Sequence, residues 1–89
     1  MKEGDYLRTI RRLAGLRQED LASLLSSDQT VISKREHGIY GITPDLERRW
    51  VSICRQRLVE SLGETAGEAV IRALELKAQI RRGPRSKER

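Results

Sequence analysis

Phenylalanine is absent, and one tryptophan with two tyrosines make up the 3% aromatic content of the 89 residues. A chain so short and so poor in large rings builds a modest core and has little room for a catalytic cleft. Apolar residues never run longer than three in a row, which excludes a membrane-spanning helix of about 20 apolar residues. The N-terminal stretch MKEGDYLRTIRR is charged throughout and lacks the apolar segment of a signal peptide. Cys54 is the only cysteine, so neither an internal disulfide nor a cysteine-built metal site is expected. His37 is the only histidine and lies in a glycine-flanked loop, with no second ligand at zinc spacing. No Ser/His/Asp spacing, phosphate loop, HExxH or paired-carboxylate pocket occurs. The expectation is therefore a non-enzyme without metal or cofactor, in the cytoplasm.

What is abundant is charge. Asp, Glu, Lys and Arg are 35% of the chain, with a formal net charge of +5 and a pI near 10.0. A small basic protein suggests a polyanionic partner such as nucleic acid. The position of the charge matters more than its sum. Residues 81–89 carry Arg81, Arg82, Arg85, Lys87 and Arg89 against Glu88, a balance of +4. Residues 1–80 hold 13 basic and 12 acidic side chains. Within 17–41, Arg17, Lys34 and Arg35 face Glu19, Asp20, Asp28 and Glu36, a balance of −1.

Apolar residues recur at helical spacing with almost no alternation of the β type. The pattern predicts an all-α chain of five helices and a tail. The first spans about Asp5–Ala14, with Asp5 as its cap, Leu7, Ile10 and Ala14 inward and Leu13 beside them. The second spans about Gln18–Leu25, with Leu21, Ala22, Leu24 and Leu25 apolar and Glu19 and Asp20 in the dipole-favoured first turn. Asp28 caps a third, Gln29 to about His37, with Val31, Ile32 and the stem of Arg35 inward. Thr43 followed by Pro44 starts a fourth that runs to Leu62 and carries Leu46, Trp50, Cys54, Leu58 and Leu62 every four residues, stopped by Gly63. In that register Cys54 is a small core residue rather than a redox centre. Thr65 and Glu68 match a capping box for a fifth helix reaching about Arg82. Residues 83–89 are too polar to fold and are expected to be a disordered basic tail.

The informative segment is Leu16–Gly38. Two short helices meet at a tight turn, small Ala22 lets them cross closely, and Ile32 fills the space between them. This is a helix-turn-helix pattern, whose second helix can enter a DNA major groove. Arg11, Ala14-Gly15-Leu16, Gln18, Leu21-Ala22, Ile32-Ser33, Glu36, Gly38 and Pro44 fall at a spacing that resembles the Cro/repressor-type (XRE-like) helix-turn-helix domain of phage and bacterial regulators. The resemblance spans about residues 5–58. Two departures stand out: Ser26 occupies the turn position where the family has glycine, and Arg17 stands where the family has a Ser or Thr cap.

The resemblance implies roles for matching positions. Gln29, Thr30, Ser33 and Lys34 would read bases. Gln29 offers the donor and acceptor that adenine N6 and N7 require, Lys34 suits guanine O6 and N7, and the Thr30 methyl suits thymine. Gln18 would bond a phosphate and brace the recognition helix, while Arg17 and Tyr40 are further phosphate candidates. Arg11 and Glu36 would form a structural ion pair. The resulting expectation is a lambda-repressor-like fold, with a DNA-binding domain over 1–63, a dimerising C-terminal helix over 64–82 and the tail over 83–89. The fifth helix bears two apolar stripes where one suffices, so Val70, Leu74, Leu76 and Ile80 are expected at a homodimer interface. The function expected is a nucleoid-associated regulator of transcription, a repressor on palindromic double-stranded DNA. The alternatives are an antitoxin that binds a toxin through the last helix or tail, and an interaction adaptor that keeps the fold without binding DNA.

Overall fold

The first helix is longer at its start than the capping signal suggests. In the computed structural model, which describes the backbone of residues 3–82 and the side-chain surroundings of residues 4–77, α1 spans Glu3–Leu13. Asp5 is therefore no cap; it lies inside the first turn and pairs with Arg8 at 3.2 Å. Packing explains the extra turn. Gly4 is buried, and a Cβ there would stand 2.8 Å from the Arg35 carbonyl oxygen and closer still to that of Glu36. Only glycine permits this approach between the start of α1 and the end of the third helix. Tyr6, Leu7 and Ile10 are buried along α1, whereas Leu13, expected near the core, is 52% exposed.

The remaining elements are α2 (Gln18–Leu24), α3 (Gln29–Glu36), α4 (Pro44–Leu62) and α5 (Glu64–Arg82), with no strand among the described residues. Leu21, Ala22 and Leu25 are buried around α2, but Leu24 is 47% exposed, because a helix of seven residues turns only one face inward. Asp28 caps α3 as expected, its Oδ1 accepting from the Val31 amide at 3.0 Å. That helix buries little apolar surface, with Ile32 and the carboxylate residue Glu36 at its core face. It ends at Glu36, one residue before the expected His37, which acts as its C-cap.

α4 has the expected bounds. Thr43 Oγ1 accepts from the Leu46 amide at 3.1 Å, and Trp50, Cys54 and Leu58 are buried. Trp50 Nε1 donates to the Leu7 carbonyl at 3.1 Å, tying α4 to α1. Leu62 is 51% exposed, because the helix outruns the core. The expected Thr65–Glu68 capping box is replaced by a different arrangement. Gly63 turns the chain, α5 starts at once with Glu64, and the Glu68 carboxylate instead holds Arg55 at 2.6 Å across to α4. Close approach makes this possible, since a Cβ at Gly67 would lie 3.0 Å from the Val59 backbone. Ile71 enters the shared core, and Val70 and Leu74 pack against it.

Candidate nucleic-acid interface

The α2–turn–α3 unit presents one helix start beside another. Its turn is closed by Ser26 N–H to the Ser23 carbonyl at 3.2 Å and Ser27 N–H to the Ala22 carbonyl at 2.8 Å. Ser26, which stands where the family has glycine, has φ +55°, the left-handed conformation that favours glycine. A non-glycine residue pays about 1–2 kcal/mol there.

A single carboxylate organises the three helices. Glu36 is 0% and Arg11 7% exposed in their side chains. Arg11 Nε donates to Glu36 Oε2 at 2.5 Å, its Nη2 to Oε1 at 3.0 Å, and its Nη1 to the Leu16 carbonyl at 2.8 Å. Gln18 Nε2 donates to Glu36 Oε1 at 3.1 Å, and Gln29 Nε2 donates to Gln18 Oε1 at 3.1 Å. A chain of hydrogen bonds thus runs from α1, through the last turn of α3, to the start of α2 and back to the first residue of α3. Charged hydrogen bonds of this kind fix geometry as well as energy.

The chain leaves useful groups unengaged. Gln29 is exposed and uses one N–H on Gln18. Its Oε1 and second N–H remain, the acceptor and donor that the adenine edge requires. Gln18 likewise keeps one N–H for an outside acceptor while bracing α3 from behind.

Residues 7–48 match the family model for the helix-turn-helix. The match supports a helix-turn-helix of the Cro/repressor type over those residues. At the general level the protein is a DNA-binding regulator. No curated protein and no solved structure matches the chain.

Around this helix-turn-helix the other expected residues fall into two groups. Thr30 is exposed and Ser33 half-buried on the α3 surface. Lys34 is half-buried, its Nζ 5.2 Å from the Tyr40 ring centroid. The base-reading and phosphate candidates are therefore joined by a cation–π contact. Arg35 reaches past the core with its guanidinium, and Nη1 donates to the Gly41 carbonyl at 2.5 Å. These contacts strap the loop after α3 to the helix. His37 lies in that loop, with Nδ1 2.8 Å from the Ser33 carbonyl.

Arg17 is engaged rather than free. Its Nε and Nη2 meet the Asp20 carboxylate at 3.2 and 3.3 Å, and its backbone amide donates to Asp20 Oδ2 at 3.0 Å. The start of α2 is thus capped by an acidic residue in its first turn, although the usual Ser or Thr is missing. The Arg17 side chain and amide hold the Asp20 carboxyl below its ordinary pKa, and Asp20 in turn raises that of Arg17.

The expected dimer residues separate. Val70 and Leu74 are half-buried against their own core, whereas Leu76 is 58% exposed and continues a solvent-facing stripe with Ala69 and Ala73. The side chain of Ile80 and the tail 83–89 lie outside the described residues. Cys54 is fully buried, and burial pushes its thiol pKa up to about 12. Among the described residues no helix is long and apolar enough to cross a membrane, and no group of His, Cys, Asp and Glu is placed to hold a metal ion.

Two features escaped sequence reasoning. The Gln18–Glu36 and Gln18–Gln29 hydrogen bonds link residues 18 and 11 positions apart, and no local pattern marks them. Tyr6 is 2% exposed. Its position four residues before Ile10 was the available signal.

Proposed function

We propose that the protein is a sequence-specific repressor that binds a palindromic operator as a homodimer. The observation that carries this reading is Gln29, exposed at the start of α3 yet held in one orientation by Gln18. A base-reading amide gains discrimination when its plane is fixed before it meets DNA. Thr30, Ser33 and Lys34 would read neighbouring bases, while Gln18, Tyr40 and Arg17 hold phosphates, Arg17 after leaving Asp20. Residues 1–63 would bind DNA and residues 64–82 would pair the subunits. A two-fold protein sets its recognition helices about 34 Å apart on one face of the duplex. The exposed Ala69–Ala73–Leu76 stripe supports the pairing, because Val70 and Leu74 already have partners within the chain.

The test is selection of bound sites from random duplex DNA, followed by Gln29→Ala on the selected site. The variant should lose about 1–3 kcal/mol there and relax its preference at one position of each half-site. An equal loss on random DNA would refute the base-reading role. The same stripe would serve an antitoxin docking a toxin. A protein that stays monomeric alone and pairs only with a second gene product would favour that reading.

A further inference from the structure

A cleft lies between α2 and α4, which pass each other without packing along their lengths. Two adjoining cavities of about 360 and 290 Å³ fill it, and both are lined by Leu24 and Ile53. Leu24 is the α2 leucine that the core leaves out, at 47% exposure, and Ile53 is half-buried opposite it. Arg49, Ile53, Arg57 and Glu60 follow one another along one face of α4 at three- and four-residue spacing. Arg48 is already paired with Asp45 at 3.3 Å, and Arg55 is directed to Glu68. Among the described residues, Arg49 and Arg57 have no carboxylate in ion-pair contact. Arg57 acts only at longer range on Asp20, which is bonded to Arg17.

We propose that this cleft docks an acidic amphipathic helix of a partner protein, going beyond the DNA-binding role. An apolar anchor sits between Leu24 and Ile53, and carboxylates one turn to either side meet Arg49 and Arg57. Charge decides the occupant. The lining carries Arg48, Arg49 and Arg57 against Asp45 and Glu60; Arg48 and Asp45 pair with each other, and the remaining charge is positive, which is complementary to an acidic segment with a hydrophobic centre. A DNA backbone would satisfy the arginines and leave both apolar side chains wet. The chain's own residues 81–89 carry a balance of +4 and would be repelled. The α4 face from Arg49 to Glu60 is about 16 Å long, matching roughly three turns of a docked helix laid into a groove.

The test uses the full-length protein and a fluorescein-labelled synthetic helix of about four turns, with leucines on one face and glutamates flanking them. Anisotropy should show saturable binding. Leu24→Ser and Arg49→Glu/Arg57→Glu should each weaken it at least ten-fold, with unchanged far-UV circular dichroism. Methyl shifts on titration should concentrate at Leu24 and Ile53. The proposal is overturned if a lysine-for-glutamate peptide binds equally well, if Leu24→Ser leaves the affinity unchanged, or if no saturation occurs. It is also overturned if Leu24→Ser alters the sedimentation mass of the protein alone, which would assign the cleft to a second copy. A loss of random-duplex affinity in Arg49→Glu/Arg57→Glu without loss of peptide binding would assign the arginines to DNA and overturn it too.

Discussion

Replacing Glu36 by Gln keeps the shape of the side chain and removes its charge. The site is unforgiving: the Glu36 side chain is 0% exposed, and its oxygens accept two bonds from Arg11 and one from Gln18. In the variant one oxygen becomes an NH2 group facing donors, and a guanidinium 7% exposed loses its countercharge. Breaking a buried pair from one side costs about 3–5 kcal/mol. Whole domains of this size are stable by only about 4–13 kcal/mol. The loss corresponds to a fall in Tm of at least about 12 °C, measured by circular dichroism at 222 nm. The control is Arg11→Met/Glu36→Leu, which removes both charges together. It should recover much of the loss, short of about 1–3 kcal/mol for each buried group left without a partner, chiefly the Leu16 carbonyl that Arg11 served. If Gln29 reads bases as proposed, the double variant should still discriminate poorly between a selected site and random DNA, because Gln18 loses the acceptor that sets Gln29. A fall of less than about 4 °C for Glu36→Gln, or a double variant less stable than the single one, would refute the reasoning.

Three further outcomes are expected. Ser26→Gly should raise the urea midpoint, by up to about 1 kcal/mol in stability, because relief of the left-handed strain outweighs the added freedom of the unfolded chain; a lower midpoint would show that the Ser26 conformation is unstrained. Cys54 should resist Ellman's reagent at pH 8 in the native protein and react on unfolding. Its folded pKa is raised to about 12, so above about pH 9 the unfolded chain loses its thiol proton first. Stability should therefore fall as pH rises from about 9 toward 12, and a Cys54→Ala variant should lack that part of the slope. Leu76→Asp should halve the sedimentation mass if the α5 stripe pairs two subunits, and an unchanged mass would remove that interface.

The bounds of α4 were legible because strong local signals, Thr43-Pro44 and Gly63, mark both of its ends. The start of α1 was not, since it depends on Gly4 meeting the α3 backbone, a contact that no local pattern announces. The α5 capping box failed for a related reason. Glu68 satisfies Arg55 on a neighbouring helix, so tertiary contact outcompeted a local cap. At the candidate site the resemblance implied the Arg11–Glu36 ion pair and a bracing role for Gln18, but not that Gln18 bonds Glu36 on one side and Gln29 on the other. The joining of these residues into one relay depends on how three helices converge on one carboxylate. The two apolar stripes of α5 were both visible, but only packing distinguishes Val70 and Leu74, which the core covers, from Ala69, Ala73 and Leu76.

The surface of α3 divides into positions with and without structural duties. Gln29 is bonded to Gln18, and Lys34 lies over Tyr40, so altering either disturbs the scaffold as well as the proposed contact with DNA. Among the described residues, the side chains of Thr30 and Ser33 make no hydrogen bond or ion pair, and Ser33 meets His37 only through its backbone carbonyl, which any residue there would supply. A lineage changing its target sequence would therefore drift most easily through positions 30 and 33, and a designer retargeting the protein should randomise those two first. Gln29 and Lys34 would be exchanged only together with their supports.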